Sequence, residues 1–345
     1  MTFQQLQAMQ ATNAFCSSPR IDQLGELHVP FDELTSTRSC EYSLERALRQ
    51  RHRVALVGAS GTGKSSVVEY ALGPLVEGLA PMRIPIAMEQ PTIATDPVAF
   101  ARHLVTVVRH WITISLPSQT GKMRQIVGPQ HGPRTQKFSV APAWMEAKVE
   151  LAYELSQAST QEPQTGAQVI DQARQLVDLI TGDDLTPVII LDDTDRWMAT
   201  SWQPQGQAVR AAFFGRVVRV LAEELNTAAV VAVHPTYLAD PDYQASGGFL
   251  DTTLTLPALP DAAAATKILE RRASHALNRA VEGQQILTPD AAEKLYQRYA
   301  ADPNVRKHLI LIANAALTLA VDDHAEQIGK AHAEAAIAQE SAEKP

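Results

Sequence analysis

The 345-residue chain carries 30 Lys and Arg against 38 Asp and Glu, a formal net charge of −8, with 45% hydrophobic and 20% charged residues. This is an ordinary globular composition with enough apolar material for a sizeable core, and its acidic balance excludes a protein that coats nucleic acid by overall charge, though not one with a local basic patch. Two cysteines without CxxC spacing argue against a disulfide framework or a zinc site, and no apolar run reaches the roughly 18–20 residues that span a bilayer. The N-terminus, MTFQQLQAMQ, lacks the basic and apolar blocks of a secretory leader. A cytoplasmic protein without a membrane segment is expected.

Residues 1–49 read as a polar lead-in whose last part, residues 42–51, has helical character. Val54-Ala55-Leu56-Val57 is a short apolar run with the length of a buried parallel strand. A glycine-rich turn follows, then a helix from about Lys64. A second strand is expected over residues 83–88. Residues 96–112 form a helix with Asp96 as N-cap and Pro97 at the first helical position. Residues 117–141 have no helical period and carry Lys122, Arg124, Arg134 and Lys137 with no acid. They are expected to form an exposed basic loop. Further on, residues 171–180 read as a helix, 187–191 as a buried strand, 209–225 as an amphipathic helix and 228–233 as another strand. Beyond Pro260 the pattern is helical, over residues 261–280, 289–299, 303–321 and 325–339, with Thr288 and Asp302 as N-caps ahead of prolines.

Gly58-Ala59-Ser60-Gly61-Thr62-Gly63-Lys64-Ser65 matches GxxxxGK[ST] in full and sits between a strand and a helix, as that motif requires. Glycines let the backbone curl so that successive N–H groups point at phosphate oxygens, and the helix N-terminus adds a favourable dipole. The segment from Gly58 to Ser66 is therefore the expected cradle of ATP. Lys64 is expected on the β- and γ-phosphates and Ser65 on Mg2+. Asp192 and Asp193 follow a second buried strand. Asp192 is the expected Mg2+ carboxylate, and Asp193 the group that orients or deprotonates the attacking water. The same aspartates also fit a solvated turn with capping side chains.

These motifs resemble the AAA+ and STAND classes of ATPase. The C-terminal part is similar to the lid of replication-origin initiator ATPases: Leu256-Pro257-Ala258-Leu259-Pro260, then Ile268-Leu269-Glu270-Arg271-Arg272, then Arg306 in the first turn of a later helix, where those proteins place an arginine that reaches the γ-phosphate. Arg306 fits a surface arginine equally well. Asp192-Asp193-Thr194-Asp195-Arg196 resembles instead the DDxDR of KAP-type ATPases and is similar to the LDD of NB-ARC switch proteins. The resemblance implies a parallel P-loop α/β sheet sandwiched by helices over residues 50–258, a helical lid over 259–335 and a tail over 336–345. It also implies a nucleotide-dependent oligomer, with residues 29–34 beside the adenine.

The family pattern is broken at three places. Asp193 stands where a glutamate is usual, one methylene shorter, which favours slow hydrolysis. His234 follows the strand at 228–233, where many members have a polar residue near the γ-phosphate; it fits a strand cap as well. Residues 237–256 contain no arginine to reach a neighbouring subunit; Arg210, Arg216 and Arg219 on the preceding helix are substitutes or merely its polar face. Two functions follow. One is an ATPase that assembles on DNA through the basic loop or with partner proteins. The other is a slow nucleotide switch that regulates a separate effector protein. A small-molecule kinase fits the helical tail less well.

Overall fold

The computed structural model describes residues 1–35, 39–73, 76–87, 90–127, 165–198, 204–301 and 305–343. Five parallel strands form one sheet: β1 (Arg53–Val57), β2 (Leu79–Arg83), β3 (Thr186–Leu191), β4 (Ala228–Val233) and β5 (Thr252–Thr255). Their order is β2-β3-β4-β1-β5. β1, β3 and β4 are apolar nearly throughout because both faces of the sheet are covered. The fold is thus the expected α/β P-loop sandwich, followed by an all-helical domain.

Period-two alternation divides β1 between two cores. Val54 and Leu56 pack with Val188, Ile190 and Val230 on one face. Ala55 and Val57 pack with Ile189, Leu191, Val231 and Val233 on the other. The second face is covered by helices that include Pro97–Ser115 and Gly166–Thr181. Asp96 caps the first of these, its carboxylate accepting from the N–H groups of Val98 and Ala99 at 2.8 Å.

The first face is covered differently. Helix α1 (Phe3–Ala11), α2 (Cys40–Arg49), α3 (Lys64–Ala71) and the lid helices α4 (Ala262–Leu277), α5 (Pro289–Ala301), α6 (Arg306–Asp322) and α7 (Lys330–Glu343) share one continuous hydrophobic cluster with it. Leu6 and Met9 are fully buried in that cluster. The lead-in is also tied to α4 by polar bonds: Arg272 Nη1 donates to the Cys16 carbonyl at 2.6 Å and Lys267 Nζ to the Glu33 carbonyl at 2.6 Å. Tyr299 on α5 accepts from Leu259 N–H at 3.0 Å and Tyr296 donates to the Pro260 carbonyl at 2.7 Å. The sheet-to-lid link is therefore held by side chains of the lid itself.

Several elements differ from expectation. The second strand is Leu79–Arg83, not 83–88. It is an edge strand, so Pro81 costs no inner ladder bond, and Ile84 N–H adds one last bond to the Ile190 carbonyl. β5 has no apolar run to announce it. It is the other edge, half exposed, and its register is pinned by Asp251, which accepts from Arg53 N–H at 2.7 Å and from Arg53 Nη2 at 2.8 Å. Of the expected basic loop, Thr120–Val127 is a short helix, with Met123 buried and Lys122 and Arg124 exposed. Arg134 and Lys137 lie outside the described residues. The helix before β4 starts earlier, at Pro204, and includes two π-helical segments, Phe213–Val217 and Val220–Glu224. Asp302 and Pro303 lie outside the described residues, and α6 begins at Arg306. The last helix continues to Glu343, through most of the expected tail. Thr288 does cap α5, its Oγ1 accepting from Ala291 N–H at 3.3 Å. Among the described residues, no helix is long and apolar enough to cross a membrane.

Since α1 fills the same core as the lid, Leu6→Ala is expected to cost about 2–5 kcal/mol, the range for emptying a buried leucine site. Urea unfolding of the full chain measures this. A loss below about 0.5 kcal/mol would mean that α1 is not packed into that core.

Candidate functional site

The sheet order brings the C-terminal ends of β1, β4 and β3 side by side. These ends carry Gly58–Ser65, His234 and Asp192–Asp193 respectively, at the edge where parallel α/β sheets bind ligands. Gly58 N–H donates to the Val233 carbonyl at 3.0 Å, so the ladder runs into the loop before the chain curls away. Gly61 and Gly63 then take φ of +81° and +101°, the left-handed region that side chains resist. Thr62 braces the turn through its hydroxyl, which donates to the Ala59 carbonyl at 2.8 Å.

Lys64 opens α3 and is buried. Its Nζ folds back on the loop, 2.6 Å from the Gly58 carbonyl and 3.1 Å from that of Ala59. These carbonyls hold the ammonium inside the curl where a phosphate chain would thread.

The lid closes one side of this curl. Lys307 N–H, in the first turn of α6, donates to the Gly61 carbonyl at 3.0 Å. A Cβ on Gly61 would come within 2.8 Å of Lys307 Cβ and 2.9 Å of Val305 Cγ1. A Cβ on Gly63 would meet Arg306 Nη1 at 3.6 Å. Arg306 therefore lies against the loop, and it is buried rather than on the surface. Its Cζ sits 4.3 Å from the centre of the Phe31 ring, a cation–π contact. This brings residues 29–34 beside the loop.

Arg306 is an expensive charge to bury. Burial pushes its pKa down to about 10, against the opposing pull of Tyr299, Glu41 and Cys40, so it stays protonated at neutral pH. Its Nη2 is buried and, among the described residues, finds no hydrogen-bond acceptor. The nearby counter-charge is Glu41 on α2, itself buried. Glu41 accepts from Phe31 N–H at 3.2 Å and Ser39 Oγ at 2.7 Å, and contacts His28 Nε2 at 2.5 Å. Burial raises the Glu41 pKa, but the bonds from His28 and Ser39 outweigh it and hold the carboxyl below its usual range. Burial likewise holds His28 below its usual value, despite Glu41. The pair is thus a neutral imidazole donating to a carboxylate. Neither residue stood out in the sequence, since a Glu in an amphipathic helix and an isolated His carry no motif.

Asp192 and Ser65, the expected metal pair, are joined. Burial raises the Asp192 pKa, but Arg83, a hydrogen bond with Ser65 and the Asp193 N–H together hold it low. Arg83 Nη1 lies 2.6 Å from Asp192 Oδ2. Its Nη2 bonds Glu69 on α3. Arg83 escaped the sequence reading because the strand placed at 83–88 put it at the wrong end of β2, and Glu69 because its role arises only from contact between α3 and β2.

Asp193 is exposed and takes φ +53°, a conformation that Asp tolerates better than most residues. Its N–H donates to Asp192 Oδ1 at 2.8 Å. Thr194, next in line, is buried and donates to the Ala232 carbonyl at 2.5 Å, tying the turn to β4. His234 caps a short 3-10 turn. Its Nδ1 lies 2.7 Å from Thr236 Oγ1 and 3.3 Å from Thr236 N. Of the substitute arginines, Arg210 pairs with Asp240 at 3.0 Å and Arg219 with Glu223 at 2.5 Å, while Arg216 is exposed.

The residues present fit a nucleoside triphosphate with Mg2+. The observations are the Nη2 of Arg306 beside the loop, orphaned among the described residues, the left-handed turns at Gly61 and Gly63, and the joined Ser65–Asp192 pair.

No protein-family model matches the chain, and no curated protein matches it. Among solved structures it is similar to the Aeropyrum pernix ORC1 protein in complex with DNA, at 16% identity and a TM-score of 0.48, over 90% of this chain and 66% of that one. It is also similar to the Aeropyrum pernix ORC2 protein in ADPNP–ADP complexes, at 14% identity and a TM-score of 0.43, over 87% of this chain and 66% of that one. The chain thus spans just under two thirds of either protein.

The packing at Gly61 gives a direct test. Gly61→Ala is expected to cost about 1–3 kcal/mol through strained backbone and overpacking against α6, and to weaken ADP binding. Gly248→Ala, where an added Cβ meets nothing within 4 Å, should stay within about 0.5 kcal/mol. Denaturant midpoints of both variants measure the difference.

Proposed function

We propose that the chain is an AAA+-like ATPase that binds ATP with Mg2+, hydrolyses it slowly, and couples nucleotide state to assembly on DNA or with partner proteins. The observation that carries this is Arg306: a buried guanidinium brought by the lid to the phosphate loop, with one nitrogen that finds no acceptor among the described residues. A γ-phosphate oxygen is the acceptor that this nitrogen lacks, so lid position becomes sensitive to the nucleotide.

The chain's own residues divide the work. Backbone N–H groups from Gly58 to Ser66 wrap the phosphates, and Lys64 leaves the Gly58 and Ala59 carbonyls to neutralise them. Ser65 and Asp192 hold Mg2+, which supplies charge to offset the phosphates when bound. Asp193 accepts the proton of the attacking water. Its shorter side chain and left-handed backbone favour slow turnover. His234 and Arg306 complete the polar set around the γ-phosphate.

A nucleotide switch acting on a separate effector is the second reading. The pairing of Arg210 with Asp240 and of Arg219 with Glu223 favours it, because it leaves Arg216 as the remaining substitute arginine on that helix for a neighbouring subunit.

Lys64→Ala should lower nucleotide affinity or turnover by at least about 100-fold; near-normal activity would remove the phosphate assignment. Asp193→Asn should keep ATP binding and lose turnover by about 100-fold or more, and an unchanged rate would mean that Asp193 is not the base. Turnover per subunit, measured against protein concentration at fixed salt with Mg2+, separates the two functions. A rise with concentration supports an assembling ATPase, and a slow, flat rate supports the switch. For DNA, changing Lys122, Arg124, Arg134 and Lys137 together to Ala should remove low-salt affinity for a duplex. Unchanged affinity would locate any DNA contact elsewhere.

A further inference from the structure

The carboxylate expected to serve Mg2+ already holds a cation. Arg83 ends β2, and its Nη1 lies 2.6 Å from Asp192 Oδ2. The other carboxylate oxygen, Oδ1, accepts from Asp193 N–H at 2.8 Å. Ser65 is bonded to the same carboxyl group. The second arm of the Arg83 fork reaches the carboxylate of Glu69, on the helix that starts with Lys64. We propose that Arg83 is a positioning residue that competes with Mg2+ for Asp192, and that Glu69 is the seat to which its guanidinium withdraws when the metal enters. This deepens the ATPase reading and rests on it.

Three physical points carry the inference. A guanidinium does not lose its proton, so the competition cannot be relieved by titration and requires movement. Asp192 is the fixed partner, with 7% of its side chain exposed, whereas Arg83 and Glu69 are 25% and 27% exposed and have room to rearrange. A divalent ion at Ser65 and Asp192 would also share the carboxylate with a full positive charge at close range, which disfavours both occupying it together. Glu69 gives the displaced guanidinium an anionic partner without leaving the site. The device keeps Asp192 compensated when metal is absent, and raises the Mg2+ concentration that the site needs.

Opposite effects of two substitutions distinguish competition from simple scaffolding. The experiment titrates Mg2+ into the 345-residue chain with ADP and follows ADP affinity by calorimetry, without reference to turnover. Arg83→Met should lower the Mg2+ concentration for half-maximal effect by about tenfold. Glu69→Gln should raise it severalfold, because Arg83 then leans on Asp192 alone. Arg83→Lys, which keeps the charge, should stay closer to the unsubstituted chain than Arg83→Met does. A weaker Mg2+ response in Arg83→Met, or no change in either substitution while ADP still binds, overturns the competition and leaves the nucleotide assignment standing. If Arg83→Met does not fold, the Glu69→Gln shift decides. Failure of the unsubstituted chain to bind ADP at any Mg2+ concentration overturns the nucleotide reading, and this inference with it.

Discussion

The site depends on one backbone hydrogen bond, from Lys307 at the start of α6 to the Gly61 carbonyl in the phosphate loop. It joins the lid to the loop at the point where Gly61 leaves no room for a side chain. Arg306, one residue earlier, is thereby set against Gly63 and over Phe31. The N-terminal lead-in, the loop and the lid meet there, although they are far apart in sequence. Each is locally ordinary, and their juxtaposition puts a buried guanidinium against the glycine-rich loop.

Charge is arranged around that contact in two separate sets. Arg306, Glu41 and His28 form one under the lid, where burial is most complete. Arg83, Asp192, Glu69 and Ser65 form the other, at the ends of β2 and β3 and on α3. In each set an arginine faces a carboxylate that burial alone would push toward its neutral form. The first keeps one nitrogen without an acceptor among the described residues, and the second uses both arms of its fork. The first set is therefore open to an added anion, and the second is closed to an added cation until it rearranges.

Much of this was legible in the sequence because it depends on local chemistry. The phosphate loop needs glycine at fixed spacing, and the buried strands 54–57, 187–191 and 228–233 need uninterrupted apolar runs. The Asp96 and Thr288 caps and the start of α3 at Lys64 followed the same way. The two edge strands were missed or misplaced because an edge lacks the signal of two-sided burial. β5 is four residues, three of them threonine, and β2 contains Pro81. Misplacing β2 hid Arg83. The roles of Glu41, His28 and Glu69 were not legible at all, since they arise from contacts between elements. The place of α1 under the lid was hidden for the same reason.

The continuous core beneath the lid has a further consequence. Leu6, Met9 and Phe15 belong to the same cluster as Val54 and Leu56 in β1 and Leu309 and Leu317 in α6. A hinge that moved the lid alone would have to shear that cluster open and expose apolar surface to water. A displacement of the helical domain that keeps Leu6 and Met9 buried has to carry α1 with it. The N-terminal helix is thereby fixed to the helical domain that carries Arg306, so a pull on that helix bears on the position of the buried guanidinium.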